Sequence, residues 1–521
     1  MKGVRELDRD AAAARQGGAA AIAGPARVRH RVVIVDLNNF ASFPTLAIGL
    51  LVAALRNAGH DARLLVPLAY DVPASVREKP DRLWHHWQRR LHLSTWPAAR
   101  WLRDLGRWAW YWQDRRPHGR VLRAVKAALA ERPDVLMLSA YLQHHATVVE
   151  LGKIARDAGV PLLLGGPAFN LPETAEAWRK SVPGLTAIYG GEADMLIPDL
   201  LETIVAGGDL LRFDGVVLPD GRRSRPAPPL RPLDQTPVPD FADFPWDRYP
   251  VRIVPVMTGR GCQWARCTFC SDVVSANGRS YRSRSLESVL HELREQARRC
   301  GTGNFLFLDL KLNSNVHLWR GLHEQIQDAV PGAQWIGTVH VDLRRDNGLS
   351  RQDLKAAARS GMRRVSFGLE SGSQRLLDLM DKGCSVEANG AFIRHAHEAG
   401  ISVRATMFKG YPGEIADDLE QTADFLEAHM PYLDRVRFND FSILEDTPIW
   451  NSLFGSGEGK GGGLPGIRVT GRDSVHARAR YVNEDGGSPA YRRAKSRVLA
   501  AVHTINRRRL RPEAQMFDGL M

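Results

Sequence analysis

Two long stretches of this 521-residue chain alternate short apolar runs with segments of helical period. The first opens with RVVIVDL (31–37), a β-branched run of the length expected for a buried strand. TLAIGLLVAALRNAGH (45–60) then has helical periodicity, with Gly59 placed to end it. Further strands are predicted at 61–67, 133–141, 160–169 and 187–194, with helices at 146–159 and from 195 onward. Repetition of this kind predicts a parallel sheet with both faces covered, and such sheets bind ligands beyond the carboxyl ends of their strands. Those ends fall at 36–39, at Ser139 and Tyr141, at Gly165, Gly166 and Pro167, and at Gly190, Gly191 and Glu192. A second series of strands is predicted at 251–258, 304–310, 334–342, 363–370, 401–410 and 434–444. Helices fall between them, as in the stripe Leu286, Val289, Leu290, Leu293 and Ala297. Six β/α units predict an open barrel rather than a closed eight-stranded one.

The rest of the chain punctuates these two series. Its length exceeds what one hydrophobic core supports, so several domains are expected. Residues 1–29, rich in Ala, Gly and Arg, read as a disordered tail without the sustained apolar core of a secretory signal. The proline-rich 225–250 reads as a linker between domains at 30–224 and 251–455. A C-terminal extension, 456–521, begins with a glycine-rich run and continues as a basic helical tail. An insertion at about 70–130 holds Trp84, Trp87, Trp96, Trp101, Trp108, Trp110 and Trp112 among arginines and histidines. It reads as an amphipathic helical pair packed on the sheet. A lid over a large planar ligand and a docking surface for a peptide are the other readings, and cation–π pairs suit either.

Composition narrows the class. The chain is 44% hydrophobic and 25% charged, ordinary for a globular protein. No stretch approaches the roughly 20 apolar residues of a membrane span, so a cytoplasmic protein with no membrane partner is expected. The net charge of +13 is spread along the chain, and no nucleic-acid motif accompanies it, so a nucleic-acid partner is not expected.

The chemistry is concentrated in TGRGCQWARCTFCSD (258–272), where Cys262, Cys267 and Cys270 fall within nine residues. In a reducing compartment clustered thiols point to a metal or to catalysis. A closed zinc site takes four ligands, and the nearest downstream histidine, His291, lies in an expected helix, so zinc would need a distant fourth donor. A four-iron cube takes one thiolate per iron, and three thiolates leave one iron open for a ligand. The glycines Gly259 and Gly261 would let backbone amides approach the sulfurs.

This segment resembles the cluster loop of the radical S-adenosylmethionine (SAM) superfamily, with C-x4-C-x2-C where that family usually has C-x3-C-x2-C and with Phe269 matching its aromatic position. SFGLESGSQRLLDLMDKG (366–383), KGYPGE (409–414) and EDTPIW (445–450) resemble, in order, later segments of the subgroup that contains cobalamin-dependent and methylthiolating members. PDVLMLSAY, VPLLLGGPAF and YGGEADMLIPDLLE are similar to a Rossmann-type cobalamin-binding module, here without its D-x-H-x-x-G pattern. His60 follows a helix and is not expected to be a cobalt ligand.

The resemblance implies an α/β fold, an N-terminal Rossmann-like cobalamin-binding domain followed by a partial (β/α)6 TIM-type radical SAM barrel and a small C-terminal extension. It implies three cofactors. Cys262, Cys267 and Cys270 would hold a 4Fe-4S cluster. Asp309, Glu370, Ser371, Ser373, Arg404, Gly410 and Pro412 would meet SAM. Ser139, Tyr141, Gly165, Gly166, Pro167, Gly190, Gly191 and Glu192 would meet cobalamin.

The implied function is cobalamin-dependent C-methylation of an unactivated carbon in natural-product or modified-peptide biosynthesis, with a small-molecule or peptide substrate. A reducing partner such as flavodoxin or ferredoxin would supply electrons. The alternatives are a non-methylating rearrangement, cyclisation or oxidation, and a non-catalytic cobalamin-binding sensor or partner protein. A methylthiotransferase would need a second cluster, for which Cys300 and Cys384 are too few; both read as ordinary thiols. Lys311, Asn313, His340 and Asp342 lie at expected strand ends and could face the cavity; no residue is assigned a catalytic role.

Overall fold

The computed structural model describes residues 28–37, 42–73, 80–114, 116–271, 280–455 and 466–520. The expected tail up to residue 27, positions 38–41 after the first strand, and the glycine-rich run at 456–465 lie outside the described residues.

The N-terminal half is built on β1 (Arg31–Asp36), β2 (Asp61–Leu65), β3 (Val135–Ser139), β4 (Leu162–Gly165), β5 (Leu185–Tyr189) and β6 (Val216–Val217), in the order β2-β1-β3-β4-β5-β6. The first five are parallel, and β6 runs antiparallel along β5. Apolar runs rather than alternation encode these strands because both faces are covered. Val32 and Ile34 of β1 pack with the helices Leu46–Asn57 and Ile197–Val205. Val33 and Val35 pack with Gly119–Leu129, His145–Ala158 and Pro172–Ser181. The chain goes from β1 to one side and then crosses to the other, so the topological switch point lies between β1 and β3.

The tryptophan-rich insertion is smaller than the sequence suggests. Helix Gly119–Leu129 belongs to the sheet's own covering layer, burying Val121, Val125 and Leu129. The remainder is a helical pair, Leu83–Leu93 and Pro97–Asp114, as expected. Its seat is different: the first helix lies against the C-terminal helix Pro489–Asn506, where the His86 ring is 5.0 Å from that of His503.

The C-terminal half contains β7 (Val254–Val256), a short hairpin of β8 (Gly259–Arg260) and β9 (Arg282–Ser283), and then β10 (Asn304–Phe307), β11 (Gln334–Val339), β12 (Met362–Glu370), β13 (Ser402–Lys409) and β14 (Arg435–Asp440). Six strands pair in parallel in the order β7-β10-β11-β12-β13-β14, and β7 does not close onto β14. This is the open (β/α)6 barrel. Several of the intervening helices start on side-chain caps: Ser285, Asn315, Ser350 and Ser385 each accept an N–H from the first turn. Beyond the barrel, β15 (Ile443–Leu444), β16 (Ile467–Asp473) and β17 (Arg478–Asn483) form a small antiparallel sheet that the sequence pattern does not foretell. Helix Pro489–Asn506 covers the exposed edge strand β14, and the Asn506 amide bonds both the N–H (2.8 Å) and the carbonyl (2.9 Å) of Val436.

Polar contacts join the halves. Arg260 Nη2 donates to Asp194 at 2.8 Å, Arg282 Nη1 to Glu192 at 2.6 Å, and Thr174 Oγ1 to Glu445 at 2.6 Å. Trp178 Nε1 donates to the carbonyl of Val475 at 2.8 Å.

Candidate active site

The cysteine loop leaves β8 at the carboxyl end of the barrel and is fastened along its length. Gly261 starts it at φ +83°, where an added Cβ would stand 2.0 Å from the Ser280 carbonyl oxygen, so only glycine fits. Trp264 Nε1 donates to the Asp381 carbonyl (2.7 Å), Thr268 N–H to the Met380 carbonyl (2.9 Å), and Thr268 Oγ1 pairs with Tyr411 Oη (2.6 Å). Phe269 packs edge-on against Phe408, with ring centroids 5.2 Å apart. The loop is thereby held on the segment after β12 and on the turn after β13.

The three thiols on this loop are partly exposed, and none of the five cysteines is in a disulfide. Two buried lysines flank them. Lys382 Nζ is 3.0 Å from Glu370 Oε1; burial pushes the Cys267 thiol up to about 11, with the Lys382 charge acting in the opposite direction. Burial would lower the Lys382 pKa, but Glu370 and Cys267 raise it above the ordinary lysine range. On the other side Lys311 pairs with Asp342, and Cys262 contributes to its field. Arg344 holds Asp342 at 3.0 Å and reaches Gln263 of the loop at 2.5 Å. Between the lysines, His340 is kept neutral, its pKa held well below the usual value by burial and then by Lys382 and Lys311. Among the described residues its Nε2 has no hydrogen-bond partner.

This donor set suits a cluster better than a single ion. Among the described residues no three His, Cys, Asp or Glu side chains converge to hold one metal ion, as a closed zinc site would require. A four-iron cube instead takes its thiolates at separate corners, and neighbouring cations offset the negative charge that three thiolates carry. Cys300 is buried elsewhere, beside Gln296, whereas Cys384, buried beside Asn389, lies near enough to the site to act on Cys267 and Lys382.

The expected SAM residues divide by geometry. Glu370 ends β12 in the left-handed region (φ +58°), strained for a residue with a side chain, at an irregularity in the pairing with β13. It is buried, and its Oε2 lacks a partner among the described residues. Gly410 turns at φ +77° with open space where a Cβ would sit, and Pro412 follows in the same turn. Other positions spend their polar groups inside the chain. Asp309 accepts from Thr258 N–H (3.0 Å), Thr258 Oγ1 (2.6 Å) and Gly259 N–H (2.9 Å), fixing the approach to the cysteine loop. Burial pushes its carboxyl up to about 6 despite these bonds. Ser371 Oγ pairs with Thr422 Oγ1 (3.1 Å), Ser373 Oγ donates to Asp418 (2.7 Å), and Arg404 Nη1 donates to Ser366 Oγ (2.9 Å).

A cavity of about 360 Å³ opens where the carboxyl ends of the two sheets face each other. Its walls are mostly apolar and include Ser139, Tyr141, Gly165, Gly166, Pro167, Gly191 and Glu192 from the first sheet. Met257, Arg260 and Leu308 come from the barrel. Gly166 presses its backbone on Ala140, 2.3 Å from where its Cβ would be, which keeps the wall flat at this point. Gly190 departs from expectation: its Cβ would meet the Phe169 carbonyl oxygen at 2.3 Å, so it packs on a neighbouring loop and does not line the cavity. The Glu192 carboxylate is taken by Arg282 and by the N–H of Leu230 (2.7 Å). No histidine lines the cavity among the described residues, and His60 is buried at the opposite, amino end of β2. Sequence reasoning missed Lys382 and Arg260. Arg260 stands two residues before Cys262, a signal open to sequence reasoning, whereas Lys382 comes beside Cys267 only through the fold.

An open barrel with a fastened three-cysteine loop at its carboxyl end is the form of a radical SAM domain. Residues 256–426 of this chain match the family model described as Radical SAM superfamily. Its larger two-sheet fold is found in solved proteins. The radical S-adenosylmethionine methyltransferase TsrM from Kitasatospora setae, solved with tryptophan substrate and a SAM analog, has a TM-score of 0.63 at 17% identity, covering 90% of this chain and 89% of that one. OxsB, a cobalamin-dependent S-adenosylmethionine radical enzyme solved with aqua-cobalamin, has a TM-score of 0.63 at 17% identity, covering 87% of this chain and 64% of that one. An uncharacterized methyltransferase of Pyrococcus horikoshii is 26% identical over 327 residues, 61% of this chain and 69% of the relative. The anaerobic magnesium-protoporphyrin IX monomethyl ester cyclase of Rubrivivax gelatinosus is 28% identical over 256 residues, spanning 47% of this chain and 45% of the cyclase.

Proposed function

We propose that the chain is a cobalamin-dependent radical SAM C-methyltransferase acting on an unactivated carbon of a small-molecule or peptide natural product. The observation that carries this reading is the cavity shared by the two sheets, whose barrel wall (Met257, Arg260) runs directly into the cysteine loop. A planar cofactor seated on the flat Gly165–Gly166 wall would thus lie beside a SAM site in one shared cavity. When bound, the cluster and SAM would supply a carbon radical and cobalamin a methyl group, the chemistry that cofactors rather than side chains perform.

The chain's own residues bind, neutralise and enclose. Cys262, Cys267 and Cys270 would hold the cluster, with Lys311 and Lys382 offsetting its charge. Glu370 Oε2 would accept the SAM ammonium, and the turn at Gly410 and Pro412 would flank the adenine. Asp309, Ser371, Ser373 and Arg404 shape those surfaces through the bonds described above. The apolar cavity walls exclude water and stray hydrogen donors. Electrons would come from a flavodoxin- or ferredoxin-type donor.

The test is anaerobic reconstitution with SAM, cobalamin and a reductant, followed by mass analysis of the SAM-derived products. Formation of both S-adenosylhomocysteine and 5′-deoxyadenosine is expected. Deoxyadenosine alone would favour the second reading, a non-methylating cyclisation or rearrangement, to which the likeness to the cyclases lends support. A protein that binds cobalamin but never cleaves SAM would be a sensor or partner instead.

A further inference from the structure

The tryptophan-rich hairpin is left without a role by the reading above, and its exposed face is unlike the rest of the surface. On the helix Pro97–Asp114, Trp101, Leu105, Trp108 and Trp112 recur at i, i+4, i+7 and i+11, which aligns them in one stripe. All four point outward, each between 45% and 64% exposed, while Ala99 on the opposite side is buried. The preceding helix repeats the arrangement. Trp84, Trp87 and Leu91 form its outer stripe at 56–63% exposure, while His86 and Arg89 face inward to His503 and Asp81. Arginines border the stripe of the longer helix: Arg100 and Arg107 are exposed beside it, and Arg103 lies on its inner side.

We propose that this hairpin is a docking surface for an anionic lipid bilayer, lying in the plane of the membrane with its tryptophan stripes in the headgroup region. Three observations favour a bilayer over a protein. A helix with a stripe of Trp and Leu, arginines beside it and low overall hydrophobicity is a form that binds at the lipid interface, and Trp in particular seeks that boundary; Asp104 at the edge of the stripe is paired with Arg103. The stripes stand on convex helical ridges, whereas aromatic anchors of protein interfaces fill sheltered, fully desolvated pockets. The chain carries a net charge of +13, so a second copy is repelled while an anionic surface attracts. No described helix is long and apolar enough to cross a membrane, so the contact is peripheral. This revises the expectation of no membrane partner, which considered spans alone.

The placement has a consequence. The first helix is seated on Pro489–Asn506, and the charge of Arg107 acts on Lys495 of that helix, where Lys409 and Asp440 also act. Lys409 and Asp440 end β13 and β14 at the barrel rim. Docking would therefore bring the rim to the lipid surface, within reach of an apolar substrate dissolved there.

Flotation of the full chain with vesicles tests the proposal independently of catalysis. Wild type is expected to float with phosphatidylglycerol–phosphatidylcholine vesicles, to float poorly with phosphatidylcholine alone, and to be released by high salt. A variant with Trp101→Ser, Trp108→Ser and Trp112→Ser should lose about tenfold or more of the bound fraction without a change in melting temperature, because these side chains support no core. A second variant, Arg100→Glu with Arg107→Glu, should lose the preference for the anionic lipid. The proposal is overturned if wild type does not float, or if the tryptophan variant floats equally well. It is also overturned if wild type is an oligomer that the tryptophan variant converts to monomer, since the stripe is then a protein interface.

Discussion

Glu370 and Lys382 show how much of this site rests on single residues. Glu370 is held at positive φ, buried, with one oxygen on Lys382 and the other without a partner among the described residues. A charge-assisted hydrogen bond to a buried carboxylate contributes about 1.5–3 kcal/mol, a factor of about 10–100 in affinity. Glu370→Gln is therefore expected to weaken SAM binding by about 10- to 100-fold in equilibrium dialysis of the reconstituted protein, with iron content unchanged. Undiminished SAM affinity would remove Glu370 from the site. Glu370 was legible in the sequence because GLESGS is a recognisable segment. Lys382 lies in the same quoted stretch but acquires its meaning only when the short helix Gln374–Leu379 folds it back over β12. A pairing made through space in this way leaves no mark in local periodicity.

The elements that the chain's pattern announces are those whose burial is uniform. The parallel strands appear as apolar runs, and the structure places them within a few residues of the expected bounds. The antiparallel sheet of β15, β16 and β17 was not legible. Its strand IRVTGRD alternates half-buried with exposed positions and carries two arginines, so it resembles a basic tail. The cysteine loop lies between these cases: its residues were legible, its path was not. That path depends on Gly261, where a methyl group would meet a backbone oxygen that cannot move aside cheaply. Gly261→Ala is expected to displace the loop while the barrel behind it survives. Iron and sulfide after reconstitution should fall to a small fraction of wild type, with far-UV circular dichroism unchanged. Full cluster loading in this variant would show that the loop tolerates another course.

At the scale of the whole molecule, stability depends on charges that folding removes from water. His323 is buried against Trp319 and Trp335, with neither ring nitrogen hydrogen-bonded among the described residues. Burial brings its pKa down from 6.5 to about 4. Between those values the unfolded chain binds a proton that the folded chain refuses, so stability is lost as pH falls from about 6.5 toward 4. For a shift of this size the loss reaches about 3 kcal/mol at pH 4. His144, likewise buried and brought to about 4, acts in the same direction. Asp309 opposes both: its carboxyl is raised from 3.8 to about 6, so protonation below 6 favours the folded state. The wild-type curve of melting temperature against pH therefore sums opposing contributions, and a variant is needed to isolate one. His323→Leu keeps an apolar side chain of similar reach against the two indoles and removes the titration. It is expected to melt below wild type near pH 7.5, where the imidazole is neutral and fills the site better, and to lose less stability than wild type on acidification. The difference between the two curves should narrow by about 3 kcal/mol between pH 7 and pH 4. Parallel curves would mean that the imidazole is hydrated in solution and that the helix Val316–Ala329 packs less tightly on β11 than the burial of Trp319 and Trp335 implies.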